Sequence, residues 1–124
     1  MNVSTDEFRA LVERALDGLQ EQFLPYLEDL AVDVEPMPDE ATLRSVGLTD
    51  PRSLLGLYHG TPLTRRSVEH TVRWPERIVI YQRNIERACR TRRQIIHQVR
   101  KTVLHEIGHH FGLDEQDLEE LGYR

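Results

Sequence analysis

Apolar residues recur at three- and four-residue spacing from about Thr5 to Phe23: Phe8, Leu11, Val12, Ala15, Leu16, Leu19 and Phe23. That period puts them on one face of an amphipathic helix. Ser4 and Glu7 form an S-x-x-E capping box at its start, and Pro25 is expected to end it. The pattern then changes. Leu30, Val32 and Val34 alternate with Ala31, Asp33 and Glu35, the two-residue period of a half-buried strand. A short helix is expected from Pro38 to about Val46, stopped by Gly47. "SLLGLYHG" (53–60) and "RIVIYQ" (77–82) are two further strand candidates, the first closed by Gly60 and Pro62, the second entered through Trp74 and Pro75. Between them, 61 to 76 reads as loop or a weak edge strand. Thr91 and Gln94 form a second capping box. It opens a long helix expected to run to about Phe111, where Gly112 stops it. A short acidic helix, about Asp114 to Leu121, is expected to finish the chain.

The order α-β-α-β-β-α-α suggests a small mixed sheet with helices packed on it, an α+β domain. At 124 residues the sequence is the size of one domain, 1–124. With 39% apolar and 30% charged residues it has the balance of a soluble globular protein. The net charge of −5 argues against general nucleic-acid binding, but the charge is uneven. A basic run holds Arg83, Arg87, Arg90, Arg92, Arg93, Arg100 and Lys101, and an acidic tail holds Asp114, Glu115, Asp117, Glu119 and Glu120. Both read as solvated surface, able to pair with one another. The single cysteine, Cys89, excludes an intrachain disulfide and a CxxC zinc knuckle. The N-terminal residues lack the basic and apolar regions of a signal peptide. No apolar run nears the ~20 residues that span a membrane. The expectation is a cytoplasmic protein without membrane partners.

The long helix carries the candidate chemistry. It contains His105, Glu106 and His109, an H-E-x-x-H motif. Histidines four apart project from one side of a helix, one turn from each other, so a nitrogen from each can reach one zinc at about 2.0–2.1 Å. Glu106 points about 100° round the helix. It misses the ion but can take a proton from a water that the ion has acidified. With His105 at zero on a helical wheel, His109 falls near about 40°, Gln98 and Thr102 near about 20° and 60°, and Ile96, Val99, Val103, Ile107 and Phe111 between about 120° and 240°. The ligand face is therefore polar and opposite the apolar stripe, free to border a cleft. His110, near about 140°, falls inside the apolar stripe and cannot join the other two on one ion. It reads as a core or supporting histidine. His70 and His97 have no partner at ligand spacing, and His59 ends a strand candidate and can border the cleft.

A catalytic zinc usually has three protein ligands. With the sequence ending at Arg124, the expected third ligand lies in the short tail or upstream. Gly112 can take the left-handed conformation that turns the chain back, and Asp114 and Glu115 follow it. Both are carboxylates able to ligate zinc at about 2.0–2.2 Å, and both are candidates.

The extended series His105, Glu106, His109, Gly112, Glu115 resembles the H-E-x-x-H-x-x-G-x-x-[H/D] signature of metzincins and Asp-zincins, with glutamate at the last position. More closely, "LLGLYHGTPL", "PERIVIYQRNIERACRT", "TVLHEIGHHFGLDE" and "LGY" resemble the small bacterial mini-zincins, zincin-like metallopeptidases. The resemblance implies a minimal zincin domain with Zn2+ as cofactor and a peptide or protein substrate. It also implies no C-terminal subdomain. The methionine that metzincins place beneath the metal has no counterpart downstream, since Met1 and Met37 both lie upstream. Leu121 and Tyr123 are the residues available to pack there.

Three functions follow as expectations. The first is a zinc peptidase with Glu106 as general base and either "LLGLYHG" or "RIVIYQ" as an edge strand that pairs with an extended substrate. The second is a catalytically weak or inactive zincin-fold module that binds metal or a partner. The third, a nucleic-acid-associated protein using the basic run, is weakest, because aromatic platforms are scarce. Substrate identity and oligomeric state are not encoded in these patterns.

Overall fold

The computed structural model describes residues 1–19, 23–28, 30–59 and 76–120. Its helices are α1 (Thr5–Asp17), α2 (Leu24–Leu27), α3 (Glu40–Ser45), α4 (Gln82–Ala88), α5 (Arg92–Phe111) and α6 (Glu115–Glu120). Its strands are β1 (Ala31–Glu35), β2 (Gly56–His59) and β3 (Arg77–Tyr81), and a 3-10 turn, Pro51–Ser53, leads towards β2. The three strands form one mixed sheet in the order β1-β3-β2. β1 runs parallel to β3, with Val34 opposite Ile80, and β2 runs antiparallel, with Tyr58 opposite Ile78. The α+β class is as expected. Residues 60–75 lie outside the described set, and with them most of the expected loop at 61 to 76, His70, Trp74 and Pro75; Leu121 and Tyr123 lie outside it too.

One face of the sheet makes the core. Phe8, Leu11, Val12 and Ala15 of α1 pack with Ile78 and Ile80 of β3 and with Ile95, Val99, Val103 and Ile107 of α5. Full burial of one such side chain is worth roughly 1.5–3 kcal/mol, so this cluster dominates the stability of the domain. Three helices, α1, α3 and α5, start at a side-chain cap, and α3 begins at Glu40, two residues after the expected Pro38. Ser4 Oγ accepts from the Glu7 amide, Asp39 Oδ1 from Thr42 and Thr91 Oγ1 from Gln94.

Two differences from the sequence pattern have clear causes. The first helix ends at Asp17 and not near Phe23, because Arg100 of α5 donates to the carbonyls of Ala15 and Arg14 and so caps α1 from outside. Phe23 is still buried, but against Leu104, in a separate small cluster. The second difference is α4, which the hydrophobic pattern does not show. Its buried residues are Gln82, Asn84, Ile85 and Glu86. A mostly polar buried face leaves no apolar period to read. Each of these groups is satisfied. The carboxylate of Glu86 accepts from the Val3 amide, Gln82 and Arg83. The side-chain amide of Asn84 donates to the carbonyls of Pro51 and Leu54, 2.7 Å each, and so fixes the approach to β2.

Among the described residues no ion pair joins the basic run to the acidic tail; the run pairs within itself and with α1. Arg83 meets Glu86, and Arg92 meets Glu7. No helix among the described residues is long and apolar enough to cross a membrane.

Candidate active site

Helix α5 begins at the Thr91 cap and ends at Gly112, which takes φ 71°. The Leu113 amide reaches back 2.7 Å to the carbonyl of Gly108 and closes a left-handed cap. Between these ends, His105 and His109 are both exposed, with ring centroids 4.3 Å apart and planes tilted by 57°. Two imidazoles at that separation can each turn a nitrogen to a common ion at about 2.0–2.1 Å. The pair therefore fits part of a zinc ligand set.

Glu106 lies between this pair and the sheet. Its Oε2 accepts from the backbone amide of Tyr58, at 3.3 Å. The geometry of β2 explains why that amide is available. The Tyr81 amide donates to Leu55 O, so in the antiparallel ladder Leu55, Leu57 and His59 exchange bonds with β3. Gly56 and Tyr58 turn their amides the other way, to the outer edge of the sheet. Burial pushes the Glu106 carboxyl above its ordinary value. The Tyr58 amide and the charges of His109, His105 and His59 pull it back down without reversing that direction.

Among the described residues β2 has a neighbour on one side only, whereas β3 is paired on both. "RIVIYQ" is therefore excluded as a substrate-pairing edge, and "LLGLYHG" supplies the edge beside α5. Its approach is close because Gly56 has no side chain. A methyl group there would lie 2.6 Å from Cγ2 of Thr102 and 3.1 Å from the carbonyl oxygen of Val79. This revises one expectation about the cleft. Thr102 does not line an open surface; it is 7% exposed, beneath Gly56. The open part of the ligand face is at His105 and His109.

The remaining candidates separate. His110 is half-buried, and its ring stacks on Tyr58 at 4.1 Å, with Nε2 3.2 Å from the Tyr58 hydroxyl. It supports the edge strand and does not enter the apolar core cluster. His97 is exposed. By alternation His59 falls on the sheet face opposite Tyr58, while remaining within electrostatic range of Glu106 and Asp39. Asp114 is exposed, and its Oδ1 accepts from the Asp117 amide while Asp117 Oδ2 accepts from the Asp114 amide. This reciprocal cap starts α6, whose first residue is Glu115. Among the described residues no group of three His, Cys, Asp or Glu side chains is gathered for a metal ion. Sequence reasoning missed Tyr58 and Gly56. Their part comes from strand pairing and helix packing, and neither leaves a local signal.

Comparison with curated proteins gives no match. The sequence pattern of the zincin-like metallopeptidases does match, over residues 27–123. That span takes in all three strands, the helix bearing His105, Glu106 and His109, and the turn at Gly112, and the chain belongs to the zincin-like metallopeptidase family.

Proposed function

We propose that the protein is a zinc-dependent peptidase that hydrolyses peptide bonds, with Glu106 as general base. The observation that carries this reading is the arrangement on α5. Two exposed histidines stand one turn apart, and the carboxylate between them and the sheet is held by the backbone amide of Tyr58 on β2. His105 and His109 would supply two nitrogen ligands. Glu115 is the proposed third ligand, because the left-handed turn at Gly112 sends the chain back and Asp114 already uses its carboxylate to cap α6. When bound, zinc supplies a Lewis acid that brings the pKa of a water towards ~7 and polarises the substrate carbonyl. Glu106 takes the proton of the attacking water. It would then pass that proton to the leaving amine. The substrate of this reading is an extended peptide that would lie alongside the histidine pair, next to β2.

The test is a pair of substitutions. Glu106→Gln should keep zinc and lose hydrolysis, and His105→Ala should lose both. Wild-type protein that takes up no zinc after reloading would overturn the proposal. It would then favour the second reading, a zincin-fold module with weak metal binding.

A further inference from the structure

β2 lies along a single line of α5, made by Thr102, Glu106 and His110 at four-residue spacing. Gly56 sits over Thr102. Tyr58 then touches the helix twice, with its backbone amide on Glu106 and its ring on His110, one turn further on. β2 is held in register by its ladder with β3. The two Tyr58 contacts, a turn apart on α5, fix where the strand sits against that helix. We infer that Tyr58 and His110 form a positioning pair, which pins the edge strand to α5 so that the Tyr58 amide fixes the carboxylate of Glu106.

The pair explains why two adjacent histidines differ in use. His109 faces out beside His105, while His110 faces β2 and acts through the strand on the base. A glutamate side chain has three rotatable bonds. Engaging one carboxylate oxygen on a backbone amide restricts them and leaves the other oxygen outside that bond. Such supporting contacts typically change activity by about 10–100-fold when removed. The catalytic consequence rests on the peptidase reading proposed above, but the geometric one does not.

The test uses metal-free, ¹⁵N-labelled full-length chain and then the zinc-loaded form. Glu106→Ala gives the resonance position of a Tyr58 amide with no carboxylate acceptor. His110→Ala should move the Tyr58 amide to that position and speed its hydrogen exchange by at least about tenfold, while His110→Phe, which restores a stacked ring, should bring it most of the way back. Tyr58→Leu breaks the pair from the strand side, read at the neighbouring β2 amides, should His110→Ala fail to fold. In zinc-loaded protein, His110→Ala should lower kcat about 10–100-fold, with KM and zinc affinity within about twofold of wild type. A Tyr58 amide that stays at its wild-type position in His110→Ala would overturn the inference, as would a kcat that does not change. If wild-type protein binds zinc and cleaves nothing, the peptidase reading falls, and the amide shifts still decide whether the pair positions Glu106.

Discussion

Two faces of α5 obey different rules. One face carries Ile95, Val99, Val103 and Ile107, all fully buried against α1 and β3. The other carries His105 and His109 in the open, with Glu106 and His110 gripped by one edge strand. The first face is fixed by area removed from water, which many apolar side chains can supply. The second is fixed by a few directional contacts, each with one partner. Stability should therefore track the first face and chemistry the second, and substitutions on the two should be separable.

The largest expected effect tests that separation. Ile107→Ala leaves a cavity in the core and should cost about 2–5 kcal/mol, read as a lower midpoint in urea. His105→Ala, on an exposed position two residues away, should change metal-free stability by no more than about 0.5 kcal/mol, yet remove zinc binding. Similar losses of stability from both would break the comparison. Gly56→Ala probes the seam between the faces. Its new methyl meets Cγ2 of Thr102 and the backbone of Val79, an overpacking that should cost about 1–3 kcal/mol. Adding Thr102→Ser removes the nearest methyl and should recover part of that loss, measured by thermal melting as a double-mutant cycle. The smallest effect is at Asp114. Asp114→Ala should cost about 1 kcal/mol of local helix stability at α6, visible as faster amide exchange there. It should leave zinc affinity nearly unchanged, whereas Glu115→Ala should lower that affinity. Equal losses of affinity from the two would return Asp114 to the ligand set.

The same contrast explains which features could be read from the chain. The ends of α5 were readable because their signals are local: the Thr91 cap and a glycine able to take positive φ. Its apolar stripe was read well at Val99, Val103 and Ile107, but at the first turn Ile95, and not Ile96, is the fully buried residue. The H-E-x-x-H residues were readable for the same reason, since four-residue spacing fixes which side of a helix they share. The early end of α1 was not, because the group that caps it, Arg100, is remote in sequence. α4 was hidden because hydrogen-bonded polar residues fill its buried face. Likewise, no period within "LLGLYHG" states that its Tyr58 amide faces outward or that Glu106 receives it. That depends on register with β3 and on the missing side chain at Gly56. A helical wheel places His110 inside the apolar stripe, but the structure leaves it half-buried and outside the core cluster. The neighbour at that angle is Tyr58 of β2, and the wheel cannot supply that partner.

The central claim is that His105 and His109 hold one metal ion beside the base Glu106. X-ray absorption at the zinc edge, on the reloaded wild-type chain, tests it most directly. The account predicts one zinc per chain with two imidazole nitrogens at about 2.0–2.1 Å and the remaining positions filled by oxygen, with one imidazole lost in His109→Ala. A spectrum with one imidazole or none in wild type, or one unchanged by His109→Ala, would contradict it.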